Sequence, residues 1–226
     1  MKLSEAIIAA KKEGKVPIIA EVKRKIPKLK NFHFDGSAGK MAKKYTDAGA
    51  IAISVVVEPE FFGGRTEDIC DIKKCSSLPL LVKDFTRSEE QIEKFKEHGA
   101  DCVLLIAAHL NGKLKCLIEY SQNIGMEALV EIKSLDELDY VMKLNHRFIE
   151  INNRNIDAFE KDEGDVQRTK SIAKFAKNCI VISASSIQTT EDIKIAMQYG
   201  SDAVLVGTAL MLSENPQKTI KKFMKL

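Results

Sequence analysis

Eight short apolar runs recur along the chain at nearly even spacing, each followed by a charged stretch of helical period. They are PIIAEV (17–22), AIAISVV (50–56), PLLVK (79–83), DCVLLIA (101–107), EALVEI (127–132), RFIEIN (147–152), CIVISA (179–184) and DAVLVG (202–207). Short runs this rich in Val, Ile and Leu read as parallel strands buried on both faces. The stretches between them, such as SEEQIEKFKEHG and SLDELDYVMKLN, space their apolar residues as amphipathic helices do. Eight strand–helix units without a break in composition predict one (β/α)8 TIM barrel over 1–226, with 1–16 as a short N-terminal segment. A doubly wound sheet is the alternative. It more often has fewer strands and a Gly-rich first turn, and neither GxGxxG nor GxxxxGK[ST] occurs.

Local signals agree with this periodicity. Gly49, Gly99 and Gly200 stand where helices should end in left-handed geometry, just before the next strand. Ser88 and Ser134 precede acidic first turns as helix caps, Ser4 is a candidate cap for the first helix, and Asp35-Gly36-Ser37 reads as a turn and helix start. A length of 226 residues suits one barrel, and 35 Lys and Arg against 32 Asp and Glu set up no global field for nucleic acid. The basic cluster KRKIPKLK (23–30) reads either as a phosphate contact or as a solvated loop. Cysteines at 70, 75, 102, 116 and 179 form no CxxC pair, so reduced thiols in a reducing cytoplasm are expected. No apolar run reaches the roughly 18 residues of a membrane span, and the first residues lack the pattern of a signal peptide. The expected setting is cytoplasmic, as a monomer or weak homo-oligomer, with a small-molecule partner and neither nucleic acid nor membrane. His33, His98 and His146 have no metal-ligand spacing and are expected at the surface.

Barrel enzymes act at the C-terminal ends of their strands, so the polar residues ending each run are the candidates. The first run ends in Glu21, followed by Lys23 and Arg24, and alternation puts Glu21 and Lys23 on the same inward face. Glu58 follows the second run, Lys83 and Asp84 close the third, His109 follows the fourth, Glu131 lies in the fifth, and Asn152 to Arg154 end the sixth. Core positions almost never hold unpaired Glu or Lys. Glu21, Lys23, Lys83 and Glu131 are therefore candidate catalytic or binding groups, with a structural ion pair as the other explanation. His109 is either a general base or a loop residue with a local hydrogen bond, and Glu58 lines the site or is simply solvated. The loops after the last two strands, ASSIQ and VGTALM, suit a phosphate: Gly207 permits close approach, and Ser185, Ser186 and Thr208 offer donors. Ordinary helix capping would account for the same residues.

The segments PIIAEVKRKIP, LLVKDF, GMEALVEI, INNRN and VGTALM, in this order from about residue 17 onward, resemble the indole-3-glycerol phosphate synthase family of tryptophan biosynthesis. The resemblance implies a lyase that performs the decarboxylating ring closure of 1-(2-carboxyphenylamino)-1-deoxyribulose 5-phosphate, without a metal or organic cofactor. It implies Lys83 as general acid in ring closure, Glu131 as the proton carrier of the later dehydration, and Glu21 as an orienting or sharing acid. Lys23 and Arg154 would hold the substrate carboxylate, Asn152 would hydrogen-bond the reacting centre, and Ser185, Ser186, Gly207 and Thr208 would cradle the phosphate. The chain departs from the pattern where that family's seventh strand ends in Glu and then Ser-Gly: Ala184, Ser185 and Ser186 stand there. Ile26 replaces a Ser before Pro27, Val57 replaces a Thr, and the segment before the first strand is short.

These changes predict a drier, larger pocket and keep three readings open. The first is a divergent synthase using Lys83, Glu131 and Glu21. The second is a barrel redirected, by natural divergence or engineering, to Schiff-base or retro-aldol chemistry at Lys83 or Lys23, with burial lowering the lysine pKa and His109 shuttling protons. The third is a phosphate-ligand-binding barrel without catalysis.

Overall fold

The computed structural model describes residues 1–154 and 166–225. Eight parallel strands close into a barrel in sequence order: β1 (Ile18–Val22), β2 (Ala52–Val56), β3 (Leu80–Lys83), β4 (Cys102–Ile106), β5 (Glu127–Ile132), β6 (Phe148–Asn152), β7 (Ile180–Ala184) and β8 (Ala203–Val206), with β8 returning to β1. Each lies inside the apolar run that predicted it. The described helices are α1 (Leu3–Lys12), α2 (Ala38–Ala48), α3 (Glu67–Cys75), α4 (Glu89–Glu97), α5 (Leu114–Asn123), α6 (Leu135–Lys143), α7 (Gln167–Ala173), α8 (Thr190–Gln198), α9 (Thr208–Met211) and α10 (Pro216–Phe223).

Helix ends follow the residue chemistry. Gly49, Gly99 and Gly200 adopt φ of 102°, 102° and 99°, the left-handed geometry that reverses the chain into the next strand. Ser37, Ser88 and Ser134 accept backbone N–H bonds from the first turns of α2, α4 and α6. Ser4 does not cap α1. It lies inside the helix, where its N–H and hydroxyl donate to the Glu127 carboxylate at the start of β5. That bond orients α1 across the lower mouth of the barrel, where Leu3 and Ile7 join Ile19, Leu81, Leu129 and Phe148 in the inner core.

The strands alternate between two cores. Outward residues such as Ile53, Val82, Val103, Val130 and Val204 pack against apolar helix faces, among them Ile92 and Phe95 of α4 and Ile220 and Phe223 of α10. The inward residues are apolar near the lower mouth and become polar toward the strands' C-terminal ends: Glu21, Lys23, Ser54, Lys83, Glu131, Glu150 and Asn152. This change of polarity fixes the site at the upper mouth. His146, expected at the surface, is buried instead, because its ring turns in from the α6–β6 turn and places Nε2 against the Phe148 carbonyl at 3.0 Å. All five cysteines are free thiols. No helix among the described residues is long and apolar enough to cross a membrane.

Candidate active site

The strand ends bring Glu21, Lys23, Lys83, Glu131 and Asn152 together around two adjoining clefts. Lys83 and Glu21 border both. One cleft, of about 410 Å³, adds Lys23, Arg154, Ser185, Ser186, Gly207 and Thr208. The other, of about 440 Å³, adds Glu131, Asn152, Glu58 and an apolar wall of Val56, Phe62, Phe85, Leu104 and Ile106. A ligand spanning both meets anion-binding groups at one end, acid–base groups at the centre and an apolar wall at the other.

The centre is a buried charge network. The Lys83 ammonium donates to Glu150 Oε1 at 2.7 Å and lies 4.0 Å from Glu21 Oε2, while Lys23 Nζ lies 3.2 Å from Glu21 Oε1. Glu131 and Glu150 are register partners on adjacent strands, so their side chains enter the barrel side by side. Burial works against the charge on Lys83, but Glu150, Glu21 and Glu131 together outweigh it and hold its pKa above the ordinary lysine value. The expected fall in the Lys83 pKa is therefore overturned: a lysine among three carboxylates keeps its proton, which opposes Schiff-base formation. Burial, partly countered by Lys83 and reinforced by Glu150, pushes Glu131 up to about 7. Burial raises Glu150 as well.

Backbone geometry shapes the anion-binding side. Ser185 and Ser186 have φ of 64° and 58°, a conformation costing roughly 1–2 kcal/mol for a residue with a Cβ. The turn is held by Asn153, buried between β6 and β7. Its side-chain amide donates to Ser183 Oγ and to the Ala184 and Ser185 carbonyls, and its oxygen accepts from the Thr169 N–H and hydroxyl. Arg154 Nε donates to Ser186 Oγ at 3.0 Å, and Arg168 steadies the strand end through the Asn152 and Arg154 carbonyls. Gly207 leaves room for the Glu21 side chain: a Cβ there would come within 2.3 Å of Glu21 Oε1 and push that carboxylate aside. Thr208 begins the short helix α9 directly behind it.

Other predicted residues take local roles. Glu58 borders the second cleft, and its carboxylate accepts three backbone N–H groups, from Glu60, Phe61 and Phe62, which fold the loop after β2. His109 is half-buried and packs its ring 5.7 Å from Phe85. In the basic cluster, Arg24 turns away from the mouth into a buried bidentate pair with Asp68 of α3 at 2.6 and 2.7 Å. Ile26 and Val57 are buried but line neither cleft; Val57 faces the helix layer. Ala184 is fully buried in the barrel wall and contributes no polar group. Asn155, the last residue of INNRN, lies outside the described residues. Among the described residues no cluster of three His, Cys, Asp or Glu could hold a metal ion.

Sequence reasoning missed Glu150 and Arg168, and placed Asn153 at the end of the sixth strand without its role. Glu150 carried a usable signal, since it lies two residues before Asn152 inside a strand and must share its inward face. The clamping roles of Asn153 and Arg168 carried none, because their partners come from separate elements.

Comparison with known proteins fits this arrangement. The family model of indole-3-glycerol phosphate synthase matches residues 1–223. The indole-3-glycerol phosphate synthase of Pyrococcus furiosus is 41% identical, across 99% of this chain and 96% of that protein. The enzyme of the same name from Aquifex aeolicus is 40% identical, across 92% of this chain and 80% of that protein. Among solved structures, an N-acetylmannosamine-6-phosphate 2-epimerase from Clostridium perfringens superposes with a TM-score of 0.66 at 21% identity, covering 92% of this chain and 91% of that one, a likeness of fold alone. With a family model matched over 1–223 and relatives about 40% identical across nearly the whole chain, the chain belongs to the indole-3-glycerol phosphate synthase family.

Proposed function

We propose that the site performs the decarboxylating ring closure of 1-(2-carboxyphenylamino)-1-deoxyribulose 5-phosphate to indole-3-glycerol phosphate. The observation that carries this is Lys83, held protonated by carboxylates at the meeting point of an anion-binding cleft and an apolar one. The substrate has matching parts: a phosphate, a central ketone and an aromatic ring bearing a carboxylate. Ser185, Ser186, Gly207 and Thr208 receive the phosphate, while Lys23 and Arg154 supply the positive charge for the two anionic groups. The ring lies against Phe62, Leu104 and Ile106.

Closure joins the ring carbon that bears the carboxylate to the ketone carbon. The ketone oxygen takes a proton from Lys83 as the bond forms, and loss of carbon dioxide then restores the aromatic ring. Dehydration follows: the new hydroxyl leaves as water and the neighbouring CH2 gives up a proton. Glu131, with a pKa near neutrality, is matched to carry that proton. Asn152 accepts the Arg154 N–H through its oxygen and hydrogen-bonds Glu131, which leaves it aimed at the reacting centre. Glu21 bridges both lysines and orients them.

The retro-aldol reading loses ground at Lys83, where a neutral lysine is disfavoured, and the binding-only reading leaves the buried acid–base network without a purpose. The test is the appearance of fluorescent indole product from the synthetic substrate. Turnover should fall about a thousandfold in Lys83→Ala, as loss of a general acid predicts. Absence of product from the unmodified protein at high concentration would sink the proposal, and borohydride trapping of a carbonyl substrate on Lys83 would favour the retro-aldol reading.

A further inference from the structure

Beyond helping to keep Lys83 charged, Glu150 takes no step in the reaction described above, yet it is fully buried in the middle of β6 beside the reacting centre. A carboxylate in such a place carries a heavy desolvation cost and persists only with strong partners. One oxygen has such a partner, accepting from Lys83 at 2.7 Å. The other, like one oxygen of its register partner Glu131, is buried and receives no hydrogen bond from a protein donor. Two ionised carboxylates cannot donate to each other, but a single proton held between them supplies the missing donor. Charge counting leads to the same place. Glu21, Glu131 and Glu150 face Lys23 and Lys83, and one shared proton makes the group neutral.

We propose that Glu150 is a positioning residue of the ring closure, aiming the charged Lys83 into the cleft and storing, with Glu131, the proton that recharges it. This rests on the synthase reading and extends it to the order of proton transfers. Lys83 first gives a proton to the ketone oxygen. The stored proton then moves from the Glu131–Glu150 pair to Lys83 along the existing hydrogen bond. Lys83 delivers it to the departing hydroxyl, which leaves as water. The emptied pair takes the proton released by the neighbouring carbon and returns to its starting state. Two protons are given to oxygen, one is recovered from carbon, and Lys83 regains the other from solvent, so the cycle balances. The groups facing Glu150 are Lys83 from β3, Glu21 from β1, Glu131 from β5 and the Cys102 thiol from β4, which burial and the surrounding carboxylates keep protonated. From β7 its register partner is the apolar Ile182.

The experiment compares Glu150→Gln and Glu150→Asp with the unmodified enzyme. In the Gln variant kcat should fall about 100-fold, the scale of a lost acid–base contribution, with KM changed less than about threefold. The basic limb of its pH–rate profile should move to lower pH, because Lys83 loses its nearest anion, and the Asp variant should recover part of the rate. A Gln variant with unchanged kcat and an unmoved basic limb would overturn the proposal and leave Glu150 as a structural ion pair. An NMR titration of the lysine side chains in the unmodified protein decides the matter even if a variant misfolds or no turnover is found. Lys83 should stay charged beyond the pH at which surface lysines titrate; a Lys83 that is neutral by pH about 9 would overturn the proposal.

Discussion

β6 and β7 lie side by side in register and present opposite chemistry to the same barrel interior. The inward residues of β6 are Phe148, Glu150 and Asn152, and their partners on β7 are Ile180, Ile182 and Ala184. The difference lies in what each position can reach. An acid at 150 meets the Lys83 ammonium and the carboxyl of Glu131. The side chain at 184 instead lies between Asn152 and Leu205, its register partners on either side. A buried carboxylate is retained where a cation and a shared proton stabilise it, and here that place is on β6. Ala184 reads as a missing acid when β7 is considered alone; beside β6 it is the small, apolar neighbour of an acid already in place.

The two strands are joined by Asn153, and breaking that link should have the largest effect on the contrast. Asn153→Ala leaves the Thr169 N–H without its acceptor and takes the side-chain donor from the Ser185 carbonyl, while the Thr169 and Ser183 hydroxyls keep their bond to each other. At about 1–3 kcal/mol for a buried polar group left unsatisfied, it should cost about 2 kcal/mol of stability. Urea unfolding reads this directly. The Ser185–Ser186 turn should loosen as well, raising KM. If stability and KM both stay put, the β6–β7 clamp is not what shapes the anion-binding loop.

Much of this was legible in the sequence. The eight strands, their order and the upper-mouth position of Glu21, Lys83, Glu131 and Asn152 follow from alternation within short apolar runs. Partnerships between strands were not legible, because they depend on register. Nothing local to RFIEIN says that Glu150 faces Lys83 across the barrel, and nothing local to LLVKDF says that Lys83 has three acids around it. Considered by itself, a buried lysine should lose its proton; with its neighbours included, it keeps it. Arg24 is a similar case, since only the packing of α3 against the loop after β1 turns a basic cluster into the Arg24–Asp68 pair.

A smaller effect is expected at the end of β7. Ser186 holds a left-handed conformation and accepts a hydrogen bond from Arg154. Ser186→Gly relieves the backbone but gives the unfolded chain more freedom, so stability should change by less than about 1 kcal/mol. Losing the hydroxyl removes its hydrogen bond to Arg154, and KM should rise about threefold with kcat nearly constant, on the scale of one modest hydrogen bond. A fall in kcat instead would place Ser186 among the acid–base groups of the β6 side.

The smallest effect should come from restoring the acid on β7. Ala184→Glu would set four buried carboxylates against Lys23 and Lys83, with Lys83 already paired to Glu150. The most direct measurement is the rate of indole product formation by the unmodified protein and by Ala184→Glu, side by side at saturating substrate. The unmodified protein should turn over, and the variant should lie within about threefold of it, or below, because the acid–base groups are already complete. A gain of about 100-fold or more in Ala184→Glu would contradict this account, showing that the missing acid belongs on β7 and that Glu150 does not stand in for it.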